Sequence, residues 1–276
     1  RRAGSRDRSR PGRPRLRLLH GPASALVNMT HRLDTALDAA VVVMRNGGST
    51  AAAAGSFANI LNGCEIEGVA AVWRLDFVAA SGETREGRLT ALRSVGPIGV
   101  NLVRAGEMVT LSERVARGQV AGEALDAELN RVRSLPSPYS GPVLALAAAS
   151  AGAAYSQLPG GDWGSLAIAF VAAGVGQSLK LHLEARGVGS TPVTFTCSAL
   201  SAGVAALGLR LGLSSVPSAT LLASVIYMIP GMPLINGFAD MLSTRYRVTG
   251  LERITNAALV FVVIAIAVAL AYAVLG

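Results

Sequence analysis

The stretch that decides the fold of this chain is residues 218–246, SATLLASVIYMIPGMPLINGFADMLSTRY. Its first half is an apolar run long enough to enter a bilayer, and Pro230 and Pro233 interrupt it. Each proline removes a backbone donor and clashes with the preceding turn, which costs about 3 kcal/mol in a helix interior. In hydrocarbon, such a break is tolerated only where it is buried in protein or lines a cavity. The stretch therefore predicts a membrane helix that opens near Pro230.

Polar residues lie on both sides of this break. Asn236 and Asp240 follow it four residues apart, so they share one face if the helix resumes. An acidic residue beside a broken membrane helix is typical of a transport site. The interpretation predicts a substrate or ion path that comprises Asp240, Asn236, Tyr227, Pro230, Gly231, Pro233 and Ser224. The alternative is a kinked packing helix with Asp240 solvated at the membrane boundary.

The composition indicates a membrane protein. Of the 276 residues, 51% are hydrophobic, and the mean hydropathy is +0.46. The excess lies in the second half, where several apolar segments approach or exceed the roughly 20 residues that a spanning helix needs. These segments are residues 142–158, 165–179, 192–209, 218–241 and 254–275. We therefore expect an α-helical polytopic membrane domain of about five transmembrane helices over residues 139–276.

Basic residues cluster at the start of the chain. The formal net charge is +8, and residues 1–17 alone hold eight arginines against Asp7. Because the rest of the chain is nearly neutral, the charge does not predict a nucleic-acid partner. We predict that residues 1–30 form a disordered, solvated tail. A transit peptide, an anchor on anionic lipid and translated sequence upstream of the true start are the alternatives.

Residues 31–138 have the pattern of a cytoplasmic α+β domain. Apolar residues recur at helical spacing from Leu33 to Met44, and Ser49 is a plausible cap for a second helix. Alternation predicts a strand over 66–78, a turn at Ser81-Gly82 and a returning strand over 84–93. Two further helices are expected over 101–115 and 123–132. The Pro-rich residues 134–139 mark the domain boundary.

The charges of the loops predict the orientation of the spans. Basic residues gather between the second and third segments and between the fourth and fifth, namely Lys180, His182, Arg186, Arg245, Arg247 and Arg253. By the positive-inside rule, these loops and the N-terminal domain are cytoplasmic. Five crossings of the bacterial inner membrane then place Gly276 outside.

Motifs for catalysis or cofactor binding are lacking in the sequence. There is no phosphate-binding loop of the Walker type and no His-Glu-x-x-His helix, and only three histidines occur. The two cysteines do not suggest a metal site. We therefore expect a protein that is not an enzyme and that has no cofactor and no metal.

Four short motifs together resemble the threonine/serine exporter family. They are Gly47-Gly48-Ser49-Thr50, Gly99-Val100-Asn101-Leu102, Gly160-Gly161-Asp162-Trp163, and Ile229 to Asn236 followed by Asp240. The resemblance covers residues 31–276. It implies a secondary exporter of small polar amino acids, with a related branch associated with dicarboxylate export, driven by the proton gradient. It also implies a second membrane half, fused or separate, so we expect a partner subunit of the same family.

These observations lead to two hypotheses. In the first, the chain is a subunit of a threonine/serine or organic-acid exporter, in which the backbone near Pro230 receives the substrate. Asp240 would then be a proton or amine site, with Asn236 and Tyr227 as hydrogen-bonding neighbours. In the second, the chain is a membrane-anchored module that senses a ligand or binds a protein without transport of its own. The partners expected are a small-molecule substrate, membrane lipid and the second subunit.

Overall fold

The computed structural model describes residues 22–63, 68–84 and 87–275. Its first half contains α1 (Pro22–Arg45), α2 (Thr50–Gly63), β1 (Ala70–Trp73), β2 (Phe77–Thr84), β3 (Gly87–Ser94), α3 (Leu102–Ala116) and α4 (Glu123–Ser134). Its second half contains α5 (Gly141–Gln157), α6 (Trp163–Ala185), α7 (Ser190–Arg210), α8 (Pro217–Val225), α9 (Gly231–Leu242) and α10 (Arg247–Leu275). We call residues 22–134 the N-terminal part and residues 141–275 the helical part.

The N-terminal part packs around a hydrophobic core of its own. The periodic residues of α1, among them Leu33, Leu37 and Met44, are fully buried against α2, α3 and the sheet. Ser49 Oγ accepts a hydrogen bond from Ala52 N (3.1 Å), and Asn101 Oδ1 accepts one from Arg104 N (3.0 Å). The helices predicted from periodicity and capping are therefore confirmed.

Two details differ from the sequence-based expectation. First, α1 begins at Pro22, so residues 22–30 of the predicted disordered tail are helical, while residues 1–21 lie outside the described part. Second, the predicted hairpin is a three-stranded antiparallel meander in the order β1-β2-β3. The chain between Trp73 and Phe77 separates two strands that were expected to be one.

The turn predicted at Ser81-Gly82 is wrong. Both residues lie inside β2, where Ser81 pairs with Thr90 and Gly82 pairs with Leu89. A Cβ on Gly82 would lie 3.1 Å from Val69 Cγ2, so this glycine permits a close approach of the neighbouring chain. Glycine in a strand often marks such an approach rather than a turn.

The helical part contains three helices that are long and apolar enough to cross a membrane, namely α6, α7 and α10. The bent pair α8–α9 makes a fourth candidate if its two pieces count as one span. Helix α5 has 17 residues and is not among these candidates. The described residues thus support a membrane protein with three to four candidate spans, against the five expected.

The fourth apolar segment is broken where the sequence predicted. Helix α8 ends at Val225, a single 3₁₀ turn covers residues 226–228, and Ile229 is extended (φ −63°, ψ 127°). An extended residue before proline follows from the clash between the proline ring and the preceding backbone. Helix α9 then begins at Gly231 and is bent by 70° from the α8 segment. Pro233 lies in the first turn of α9, where a missing donor is tolerated, so the disruption arises at Pro230 and not at both prolines.

Candidate functional site

The polar face of α9 is buried between the N-terminal part and α10. Asn236 and Asp240 lie on this face, as their four-residue spacing predicted. Asn236 Nδ2 donates a hydrogen bond to Gly47 O at 2.9 Å. The turn that joins α1 to α2 therefore contacts the helix that follows the break.

Asp240 is held in a buried ion pair with Arg253 of α10. The two side chains are each 2% exposed, and Arg253 Nε lies 3.1 Å from Asp240 Oδ2. Thr50 Oγ1 donates a second hydrogen bond to the same carboxylate oxygen at 2.6 Å. The removal of one partner from a buried pair leaves the other charge uncompensated, which typically costs about 3–5 kcal/mol. The alternative in which Asp240 is simply solvated is therefore wrong.

The glycines of the α1–α2 turn make this contact possible. Gly47 has a φ of +90°, a conformation that glycine adopts without strain. A Cβ on Gly48 would overlap the side chain and carbonyl of Val43. The glycines at these two positions allow the chain to turn tightly after α1. This turn places Thr50 beside Asp240.

A second set of contacts fastens the sheet to the first turns of α10. Arg74 forms an ion pair with Glu252, and Glu252 Oε2 also accepts a hydrogen bond from Leu75 N at 3.0 Å. Thr249 Oγ1 donates to Trp73 O at 2.8 Å. We call this set, together with the Asp240 cluster, the docking contacts, and the end of the helical part that carries them the docking end.

The break itself is held by hydroxyl groups of a separate cluster. Tyr227 OH lies 3.0 Å from Ser201 Oγ, to which it donates when Ser201 donates to Ala172 O, and 3.4 Å from Cys197 O. Ser201 Oγ donates to Ala172 O at 3.0 Å. Ser224 donates to Leu221 O of its own helix at 2.7 Å, which is the ordinary local bond of a membrane serine.

The predicted path residues thus fall into two groups. Tyr227 and Ser224 lie before the break and contact α7 or their own helix, whereas Asn236 and Asp240 lie beyond it at the docking end. The expectation that Asn236 and Tyr227 hydrogen-bond to Asp240 is wrong. Asn236 shares the face of Asp240 but donates to Gly47 O instead. Tyr227 lies before the break and contacts α7, while the nine residue steps of α9 from Gly231 to Asp240 rise by about 14 Å. Pro230 and Gly231 lie between the two groups, at the start of α9, and Pro233 lies in its first turn.

Sequence reasoning missed Arg253 and Thr50 as members of this site. Arg253 was counted only as a loop charge, although it lies inside α10 rather than before it. One signal indicates the pairing of Arg253 with Asp240. It is a basic residue in the first turns of an apolar helix that lies close in sequence to an isolated acidic residue. Thr50 belongs to a motif that was noted for family resemblance alone, and only the fold brings it to Asp240.

A third cluster joins two loops at the other end of the helical part, which we call the far end. Asp162 caps α6, and its carboxylate accepts hydrogen bonds from Ser165 N at 2.7 Å and Ser215 N at 2.8 Å. Hydrogen bonds from the backbone of Ser215 and Ser165 hold the pKa of Asp162 well below its usual range. A carboxylate that accepts several such bonds stays ionised.

The described residues also line an open cavity of about 510 Å³ at the docking end. It lies between α2, β1 and the segment before α10, and its walls include Phe57, Trp73, Arg245 and Tyr246. Within the described part of the chain, no group of three or more His, Cys, Asp or Glu side chains is arranged to hold a metal ion.

The family model for threonine/serine exporters, ThrE, matches residues 34–275. A "Probable threonine/serine exporter" of Mycobacterium tuberculosis is 27% identical over 183 residues, which is 65% of this chain and 34% of that protein. A "Threonine/serine exporter" of Corynebacterium glutamicum is 25% identical over 166 residues, 58% of this chain and 33% of that protein.

A third relative carries a different name. The "Probable succinate transporter subunit YjjP" of Klebsiella aerogenes is 30% identical over 153 residues, which is 55% of this chain and 58% of that protein. The chain thus matches about a third of the length of the two exporters and rather more than half of the Klebsiella protein. No solved structure matches the chain.

Proposed function

This chain belongs to the threonine/serine exporter family, and we propose that it is a subunit of a secondary transporter that exports a small amino acid or a small organic acid. The observation that carries this proposal is the broken α8–α9 segment with a buried acid and base beyond the break. An ordinary packing helix has no need of a 70° bend followed by a desolvated ion pair. Buried ionisable residues in membrane helices commonly mark substrate or ion paths.

The substrate class is proposed from the relatives. Two carry names that specify threonine and serine, and one carries a name that specifies succinate. We propose that transport is coupled to protons, with Asp240 as the group that takes up and releases the proton. The buried Asp240–Arg253 pair supports this role, because protonation of the carboxylate changes its partners directly.

The orientation and the partner are also proposals. The exposed arginines Arg186, Arg245 and Arg247 lie in or beside the loops at the docking end, so the positive-inside rule supports a cytoplasmic N-terminal part in the inner membrane. A second membrane unit of the same family is supported by the word "subunit" in the name of the Klebsiella relative.

The test is transport in inside-out membrane vesicles of the native host, with the gene present or deleted. We expect a proton gradient to drive the uptake of radiolabelled threonine, serine or succinate only where the gene is present. Asp240→Asn is expected to abolish the dependence of transport on the gradient, whereas Asp76→Asn at an exposed position is expected to leave it intact. Equal uptake of all three compounds with and without the gene contradicts the proposal, and unchanged pH-dependent uptake by Asp240→Asn removes this residue from the mechanism.

The second hypothesis, a sensing module, is favoured by one observation, the cavity at the docking end. Its aromatic walls offer apolar surface to a small ligand, and Arg245 offers a positive charge to an anionic group on it. The vesicle experiment separates the two functions. If the chain is a sensor that is only tethered to the membrane, deletion of the gene leaves the uptake of the three compounds unchanged.

A further inference from the structure

Helix α9 buries its polar face and exposes its apolar face. Its polar residues Asn236 and Asp240 are buried against the N-terminal part and α10. The large side chains of the opposite face are exposed, namely Ile235, Phe238, Met241 and Leu242. Leu242 is 88% exposed, which is unfavourable in water. An exposed apolar helix face of this kind is stable where the surrounding solvent is lipid.

The position of α9 along α10 indicates its depth in the bilayer. Helix α10 has 29 residues and is about 43 Å long, whereas the hydrocarbon core of a bilayer is about 30 Å thick. About 13 Å of α10 therefore projects beyond the hydrocarbon. The charged residues of α10 all lie at its start, and Arg253 is the last of them. A Cβ on Gly237 of α9 would lie 2.9 Å from Ile254 Cγ1, so the middle of α9 is level with the boundary between hydrocarbon and headgroups.

A third connection of the N-terminal part lies at the same level. It comprises residues 95–101 and joins β3 to α3. Gly99 N donates to Arg45 O at 2.8 Å, so this connection is bonded to the end of α1, beside the turn that contacts α9. Val95 N donates to Asp76 O at 2.8 Å, so it is also bonded to the β1–β2 connection, which contacts α10. All three connections therefore lie at the end of the N-terminal part that faces the helical part.

The third connection and the first turn of α3 expose a patch of apolar side chains. They are Ile98, Val100, Leu102 and Val103, and Val100 is 66% exposed. Contiguous exposed apolar side chains commonly mark a surface that meets a partner or a membrane. Residues 95–106 contain no acidic residue, and Arg45 beside them is exposed. This balance of charge suits the surface of an anionic leaflet.

The exposed side chains of α9 and those of the third connection meet at Gly47. Gly47 O accepts the hydrogen bond from Asn236 of α9, and a Cβ on Gly47 would lie 3.8 Å from Leu102 Cδ2. We call the two sets of exposed side chains together the apolar rim. We propose that the apolar rim binds lipid, so that the N-terminal part rests on the bilayer leaflet at the docking end. This inference goes beyond the proposed transport and does not depend on it.

Two observations favour lipid over a protein as the occupant. First, the apolar rim continues onto α10, which is a candidate span. Leu251 is exposed there, next to Gly250, whose Cβ would lie 2.6 Å from Met241 N of α9. Second, the apolar rim is shared by two separately packed parts of the chain at one depth. A leaflet contacts every surface at its own depth, whereas a protein partner needs a shape that matches both parts.

The experiment measures the accessibility of a nitroxide label by electron paramagnetic resonance, with the full chain in nanodiscs of phosphatidylcholine and phosphatidylglycerol. Both native cysteines are replaced, as Cys64→Ser and Cys197→Ala, and the label is attached at Val100→Cys. Oxygen concentrates among the acyl chains of a bilayer, whereas a charged nickel chelate stays in water. We therefore expect the ratio of oxygen to nickel accessibility at position 100 to be several-fold higher than at a position in water.

Two further labels supply the references. Leu242→Cys on α9 is expected to give the same high ratio as Val100→Cys. Gln119→Cys is the aqueous control, because Gln119 is exposed beyond the C-terminal end of α3, which lies about 21 Å from Leu102. The inference is overturned if the label at position 100 is as accessible to nickel as the label at position 119. It is also overturned if the label at position 100 is protected from both oxygen and nickel, because a protein then covers this surface.

A second measurement needs no substitution. A phosphatidylcholine with a photoactivatable diazirine in its acyl chain is cross-linked to the unmodified chain in the same nanodiscs, and mass spectrometry identifies the labelled peptides. We expect label within residues 96–103 and 231–242 and none within residues 117–122. The absence of label from residues 96–103 overturns the inference even where the cysteine variants do not fold. Neither measurement involves transport, so the failure of the lipid-binding surface and the failure of the proposed function are distinguishable.

Discussion

At the scale of single residues, glycines decide how closely the helices approach around the break. A Cβ on Gly176 of α6 would overlap both Ser201 Oγ and the hydroxyl of Tyr227. The Tyr227–Ser201 hydrogen bond therefore occupies the space that a side chain at position 176 would need. In membrane helices, small residues at such points allow backbones and polar groups to meet.

Gly176→Ala is accordingly expected to separate Tyr227 from Ser201. We expect a loss of about 1–3 kcal/mol of stability, which is the usual cost of forcing an extra methyl group into a packed interior. Thermal unfolding in detergent measures the effect. Gly174→Ala in the same helix is the control, because its Cβ would lie 3.3 Å from one methyl group, that of Ala149, and would displace no hydrogen bond. Equal stability of the two variants contradicts the prediction.

At the scale of elements, two loops of the far end are locked together by polar contacts. Asp162 bonds to the start of its own helix α6 and to Ser215 in the loop between α7 and α8. Ser165 Oγ lies 2.8 Å from Ser214 Oγ, and Thr220 Oγ1 lies 2.9 Å from Ser165 Oγ. We call these contacts of Asp162, Ser165, Ser214, Ser215 and Thr220 the clamp. The clamp fixes the position of the start of α8 and so supports the bend between α8 and α9 from the side opposite to the docking end.

The clamp predicts a pH dependence of stability. Because folding lowers the pKa of Asp162, its contribution to stability is fully present above its unfolded pKa of about 3.9 and is lost as the pH falls toward the folded value. We expect the parent chain to lose more stability than Asp162→Asn between pH 5 and pH 3, measured by thermal unfolding at each pH. Parallel pH profiles for the two chains count against the clamp.

At the scale of the whole molecule, the N-terminal part is joined to the helical part by polar contacts at the start of α10. The pair Arg74–Glu252, the bond from Thr249 to Trp73 O and the Asp240 cluster all lie between Thr249 and Arg253 on α10. Trp73 also contacts the ring of Tyr246 edge-on, at 6.5 Å between centroids. These contacts join α10 both to the sheet and to the α1–α2 turn.

Glu252→Gln is expected to loosen this junction without unfolding either part. The amide keeps the shape of the side chain but loses the ion pair with Arg74, so amide hydrogen exchange over residues 70–77 is expected to rise about two- to fivefold, the range for a partly exposed ion pair. Glu83→Gln is the matched control, since Glu83 pairs with Arg88 on the same sheet at an exposed position. Equal exchange over residues 70–77 in both variants contradicts a role for Glu252 in docking.

Local rules of sequence predicted much of this fold and less of the site. The periodicity of Leu33 to Met44 and the caps Ser49 and Asn101 act within a few residues, so they specify α1, α2 and α3 directly. The meander was mistaken for a hairpin because Gly82 also occurs commonly in turns, and only the neighbouring strand shows that it lies inside a sheet.

The amino-acid sequence by itself determined that the second half is apolar and helical, although not the number of its spans. It also determined the break at Pro230 and the shared face of Asn236 and Asp240, since proline geometry and helical spacing are local properties of the chain. Tertiary structure alone decided what that face meets. Thr50 lies 190 residues before Asp240, and the contact between them depends on how two separately packed halves fit together. The nearness of Arg253 in sequence indicates one partner of the buried carboxylate, but no local pattern specifies Thr50.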